Sequence, residues 1–159
     1  MGGDYIMCHY EQATICKNGH AISIHGRTSE KCCSNCGAEN ISQCQNCNAN
    51  IHGWDERWLP GRKYHVPKYC YNCGKPYPWT EQAIEATKEL ILEDEELSVL
   101  EKDKLSQSLS DIRVETPKTT LAATRIKKAL LTAGRFTADA LRQFVIDFGC
   151  ELAIKSINL

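Results

Sequence analysis

Residues 33–47 read Cys33-Ser34-Asn35-Cys36-Gly37-Ala38-Glu39-Asn40-Ile41-Ser42-Gln43-Cys44-Gln45-Asn46-Cys47, two CxxC pairs seven residues apart. A two-residue gap lets both thiolates of a tight turn face one metal ion while backbone amides donate to the sulfurs. Outward from this stretch stand Cys16-x3-His20 on one side and Cys70-x2-Cys73 on the other. Gly37 and Gly74 directly follow two of the turns, where a left-handed residue is often needed, and Asn48 holds the equivalent place after a third. Eight ligands in four pairs make two tetrahedral sites, and sulfur with some nitrogen favours Zn²⁺. The expected ligands of two structural zinc ions are therefore Cys16, His20, Cys33, Cys36, Cys44, Cys47, Cys70 and Cys73. A site filled by four protein ligands has no position for water or substrate.

Disulfides are the competing use of these cysteines, and they need an oxidising compartment. The N-terminal MGGDYIMCHY has neither the basic nor the apolar region of a secretion signal, nor Ser or Thr at Ile6 for myristoylation, so the expected location is the cytoplasm. A redox CxxC would be one reactive pair in a βαβ unit, not three in series. Sequential pairing gives one site from Cys16, His20, Cys33 and Cys36 and a second from Cys44, Cys47, Cys70 and Cys73, as tandem ribbons. The alternative is a cross-brace of first with third pair and second with fourth. The seven-residue spacing between two CxxC pairs favours the ribbons, with the cross-brace left open. Cys32 could compete with Cys33, but only Cys33 keeps the two-residue gap. Cys8, His9, His25, His52 and His65 are spare, and buried Cys or surface His is their plainer use than a third metal.

The cysteines also divide the chain. Nine of ten lie before residue 74, with all six tyrosines and all three tryptophans, and the remainder turns to Leu, Ala, Glu and Lys. The reading is α+β and small: a tandem zinc-ribbon module of short β-hairpins and knuckles over 1–79, then a bundle of about four α-helices over 80–159. Pro76 and Pro78 mark the junction. Ala21–His25 and Ile51–Trp54 read as short strands, and 63–69 leads into the last knuckle. So small a module has little core, and metal supplies much of its folding free energy.

Ile15-Cys16-Lys17-Asn18-Gly19-His20, the three CxxC elements and Cys73-Gly74-Lys75-Pro76-Tyr77-Pro78-Trp79-Thr80 together resemble a bacterial double-zinc-ribbon family, domain of unknown function 2321. CGKPYPWT is the most specific part. Gln45 departs from the proline common at that place in the family, which touches knuckle stiffness and not ligation. The resemblance implies the metal and the ribbon fold, and no activity.

In the second half, Thr80 is the expected cap of a helix to about Asp94, and Ser98-x2-Glu101 is a capping box for one to about Arg113. Thr116-Pro117 should open a third, ending at Gly134, and Thr137 a fourth over about Ala138 to Ile157. The fourth carries Leu141, Phe144, Val145, Phe148 and Leu152 on one side and Ile146, Cys150, Ala153 and Ile157 on another. A surface helix needs one apolar stripe, so the second suggests a homodimer through Ala138 to Ile157, or a central buried helix. Charge is polarised: residues 80–116 are net −7 and 117–159 net +4. The basic part, with Lys118, Arg125, Lys127, Lys128, Arg135 and Arg142, either pairs within the fold or meets an acidic partner.

These patterns favour a zinc-stabilised protein-interaction or adaptor protein, with a protein partner. The alternative is a weak single-stranded nucleic-acid binder using Trp54, Trp58, Tyr64, Tyr69 and Tyr71 with Arg57, Arg62, Lys63 and Lys68. Seven thiolates and two divalent ions turn a formal +2 over residues 1–79 into about −1, so the phosphate attraction is small. No apolar run reaches the length of a membrane span, and no phosphate loop, GxSxG, HExxH or open metal site suggests an enzyme. Cys8 and Cys32 are the spare thiols that an enzyme would use, near His9 or His25.

Overall fold

A computed structural model describes residues 9–159. Cys8 and the N-terminal motifs lie outside them. The chain divides into two compact units between Glu81 and Gln82.

The first unit is built on five short strands, β1 (Tyr10–Gln12), β2 (Thr14–Cys16), β3 (Ala21–Ser23), β4 (Asn40–Ile41) and β5 (His52–Asp55). β1 and β5 form an antiparallel pair, and β3-β2-β4 a three-stranded antiparallel sheet. The strand expected over Ala21–His25 ends at Ser23, because the chain turns at Gly26, where φ is +121°. Ala13, Ile15, Ile51 and Tyr77 are buried together with Cys44 and Cys70. That is a small core, and half-buried Trp79 closes it by stacking on Tyr77 and donating its indole N–H to the Pro67 carbonyl at 2.9 Å.

Helix α1 (Pro78–Glu93) begins at this first unit's end. Thr80 is not its cap. The Tyr77 carbonyl accepts from the amides of Thr80 and Glu81, and Pro78 takes the first helical position, where its missing N–H costs nothing.

The second unit continues with α2 (Val99–Asp111), α3 (Thr119–Thr132), α4 (Arg135–Phe148) and α5 (Glu151–Ile157). The Ser98–Glu101 capping box at α2 is formed in both directions. α3 starts later than Thr116-Pro117, because the Thr119 hydroxyl accepts from the Thr116 amide and donates to the Val114 carbonyl, holding those residues as a turn. Gly134 precedes α4 rather than ending α3. Thr137 lies inside α4, its hydroxyl donating to the Leu90 carbonyl at 3.3 Å.

The largest correction is the last helix. The expected single helix over 138–157 is two, α4 and α5, broken at Gly149-Cys150. A Cβ on Gly149 would stand 2.5 Å from the Val145 carbonyl oxygen, so glycine lets the chain leave the helix there. The Cys150 amide then donates to the Ile112 carbonyl at 2.8 Å, pinning the corner to the end of α2. The break turns Ala153 and Ile157 into the same core as Leu141, Phe144 and Val145. One folded unit therefore absorbs most of the apolar surplus, and Ile146 remains 51% exposed. No helix among the described residues is long and apolar enough to cross a membrane.

Candidate metal centre

The three CxxC turns are copies of one loop. In each, the first cysteine carbonyl accepts from the residue four places on: Gly37, Asn48 or Gly74, at 2.8–2.9 Å. Its amide donates to the carbonyl five places on: Ala38, Ala49 or Lys75, again at 2.8–2.9 Å. That reversal demands a left-handed residue at the fourth place, and φ there is +72°, +59° and +69°. The flanking residues form isolated bridges, Cys32 with Glu39, Gln43 with Asn50 and Tyr69 with Pro76. The fourth turn differs: the Cys16 amide donates to the His20 carbonyl at 2.9 Å, and Gly19 has φ +87° against Trp79.

These turns assemble two clusters, Cys16, His20, Cys33 and Cys36, and Cys44, Cys47, Cys70 and Cys73. Within each, all four donor atoms lie within 4.8 Å of one another. The grouping is sequential, not crossed. Cys16 and Cys36 sulfurs are 3.8 Å apart, Cys44 and Cys73 3.7 Å, and Cys47 and Cys70 3.6 Å. The edge of a tetrahedron around an ion bound to sulfur at ~2.3 Å is about 3.8 Å. His20 Nδ1 lies 3.4 Å from the Cys16 sulfur and 3.7 Å from that of Cys33, near the ~3.6 Å of a mixed sulfur–nitrogen edge. A disulfide would need about 2.05 Å, and the described cysteines are all free. The donor sets fit a tetrahedral metal ion.

Amides surround the sulfurs as a thiolate requires. The Ala38 amide brings Cys36 down to about 6, with His20 and Asn18 adding to it. The Asn72 side chain and the Ala49 amide bring Cys47 down to about 6. Burial pushes Cys44 up to about 11 against amides of Asn46 and Cys47. Burial would also raise Cys70, but amides of Cys73 and Asn72 outweigh it and lower it. The Asn18 and Asn72 side chains are supporting groups that ligand spacing passes over: Asn18 donates to the Cys36 sulfur at 3.5 Å and Asn72 to that of Cys47. Asn72 directly precedes Cys73 in its knuckle, and that placement is the signal the sequence offered.

Among the described residues no third cluster forms. Cys32 is exposed and outside the first cluster, and Cys150 is half-buried at the α4–α5 corner. His25 pairs with Glu11 at 2.9 Å. His52 is sandwiched between the rings of Tyr10 and Tyr71, at 4.1 and 4.0 Å, and burial lowers its pKa. His9 and His65 are exposed.

The aromatic and basic residues of 54–71 separate into two kinds. The Tyr64 hydroxyl donates to the His52 carbonyl at 2.7 Å, a structural contact. Arg57 is consumed by buried Asp55, donating through Nε at 3.0 Å and Nη2 at 2.9 Å, and this partner holds Asp55 down at about 2. Tyr71 is 58% exposed, Trp54 and Trp58 meet edge to face, and Arg62 lies 5.7 Å over Trp58.

A family model described as an uncharacterized protein conserved in bacteria (DUF2321) matches residues 9–157. The chain belongs to this family. The match runs through both DUF2321 units, ribbon half and helical half alike. No curated protein and no solved structure matches this DUF2321 chain.

Proposed function

We propose that this protein is a zinc-stabilised interaction protein: two structural zinc ions fix a rigid ribbon unit, and the protein acts by binding a protein partner. The carrying observation is that each cluster is a closed set of four protein donors, three thiolates with an imidazole in one and four thiolates in the other. Sulfur-rich tetrahedral sets select zinc, and a closed set leaves no coordination position for a substrate. The reading has no catalytic step.

Elemental analysis of the purified protein tests the metal: two zinc ions per chain are expected, and one, none or iron overturns the reading. Structural zinc contributes on the order of 10 kcal/mol to folding. Cys→Ser at any of the seven ligand cysteines should therefore unfold the ribbon unit, while Cys32→Ser and Cys150→Ser should be mild. Capture of zinc-loaded protein from its own cell extract, with and without nuclease, tests the partner: proteins that survive nuclease support it.

A second reading rests on exposed Tyr71 and on Arg62 above Trp58, which would stack and neutralise a single nucleic-acid strand. The pairing of Arg57 with Asp55 removes one of its four cations. Binding should therefore be weak at physiological salt and fall as salt is added; submicromolar, salt-tolerant binding would promote it to the first reading.

A further inference from the structure

The second unit carries a groove between α2 and α3 with a cavity volume of about 390 Å³. Its floor is apolar: Leu97, Leu105 and Ala129 are buried there, and Leu121 stands in its wall while 51% exposed. Its rim is basic. Lys104 lines it from α2, and Arg125 and Lys128 from α3. Among the described residues none of these three has an ion-pair partner, although elsewhere in the unit Arg142 and Arg135 meet Asp139 and Lys155 meets Glu151. The one acid in the lining, Glu101, is hydrogen-bonded to the Ser98 amide at 2.9 Å and the Ser98 hydroxyl at 2.6 Å, with the charge of Lys104 acting on it from the same helix.

We infer that this groove docks an acidic amphipathic helix of a protein partner. The inference rests on the interaction reading above and names the surface and the chemistry of what it binds. Three features select that occupant. Leu121 and Thr132 bound the groove along α3, eleven residues apart, and at 1.5 Å per residue this is about 16 Å, three helical turns. The apolar floor takes a stripe of leucines at i, i+3 or i+4, and i+7. Arg125 and Lys128 on the α3 wall, with Lys104 opposite, take carboxylates flanking that stripe, and they reject a basic helix by like charge.

The probe is a fluorescent peptide of about 15 residues, three to four turns, with leucines on one face and glutamates on both flanks. It is titrated into the zinc-loaded full chain and followed by anisotropy. Saturable one-to-one binding is expected, weakening as salt shortens the screening length. Replacing the peptide's glutamates with lysine should weaken binding about tenfold or more, as should Arg125→Glu with Lys128→Glu in the protein. Leu121→Asp, at a half-exposed position, should do the same. Circular dichroism of each variant confirms that the helices are kept. Equal binding of acidic and basic peptides, no binding, or binding indifferent to these variants overturns the groove. If wild type and the charge-reversed variant capture the same cellular partners, the interaction reading stands and the groove is overturned. If the peptide behaves as expected and wild type captures no protein, the groove's chemistry is supported and the wider reading falls.

Discussion

Asp94 ends α1 as expected, but its larger task lies across the unit. Its carboxylate accepts the amides of Glu96 at 3.0 Å, Leu97 at 3.2 Å and Gly134 at 2.9 Å, so the end of α1 and the start of α4 share one anion. Burial would raise its pKa, but Thr137 and these amides outweigh it and lower it from the ordinary 3.8. A carboxyl depressed in the folded state contributes fully above the ordinary value and loses that contribution as pH falls through the folded one. Asp94→Asn should therefore cost about 1–3 kcal/mol near neutrality. The gap between the two proteins should close on acidification below 3.8, and paired thermal melts over pH measure it. Gly53 makes a different demand. A Cβ there would stand 2.3 Å from the Ile24 carbonyl oxygen, 2.9 Å from that of Glu11 and 3.1 Å from the Ala13 amide nitrogen, all backbone. Gly53→Ala should lower the stability of the ribbon unit by about 1–3 kcal/mol, read from denaturant midpoints at saturating zinc. Neither demand was legible in the sequence, because both come from chain brought close by folding.

Local geometry was legible where a strong motif decides it, though not at α1, which Pro78 opens ahead of the expected Thr80. The knuckles follow from CxxC with Gly37, Asn48 and Gly74 behind them, and the Ser98–Glu101 box closes as its residues dictate. What local pattern could not give is where a helix yields to a distant partner. Apolar periodicity runs through Gly149, but the chain breaks there because the Ile112 carbonyl offers the Cys150 amide a bond outside the helix. At the start of α3 the deciding contact is nearer but still not helical: the Thr119 hydroxyl reaches the Val114 carbonyl five residues back and displaces Thr116 as the start. The break also sorts the residues of the segment for mutation. Phe144 is 3% exposed and stacked on Phe148 at 4.8 Å, so Phe144→Asp should unfold the unit, costing at least the ~3–5 kcal/mol of a core Phe truncation. Ile146 is 51% exposed, and Ile146→Asp should change stability by no more than about 0.5 kcal/mol. Thermal melts check both. Ile146→Asp is thus the variant to pair with sedimentation when self-association through Ala138 to Ile157 is tested.

At the scale of the whole molecule, composition separates a cysteine-rich half from a helical one, and the chain divides between Glu81 and Gln82. Charge was read less well. Arg57, Arg62, Lys63 and Lys68 stand close together in sequence, yet Arg57 is spent on Asp55, while Arg125, Lys128 and Lys104 gather on one groove from two helices. Chain order places Lys104 among the acids of α2, and only packing moves it to the basic rim. Packing also ties the two metal clusters together. Ile15 adjoins the ligand Cys16 of the first cluster and is buried beside Cys44 and Cys70 of the second. Ile51 joins the same core, its carbonyl accepting the Ala13 amide at 2.8 Å. An ion filling either cluster would therefore order a wall that a second ion would otherwise have to order for itself. Two independent and equal sites given one ion per chain would leave about half of the molecules singly filled. Native mass spectra at that ratio should instead show empty and doubly filled chains, with the singly filled species scarce. Zinc would then set the number of folded molecules in a population, not the degree to which each one is folded.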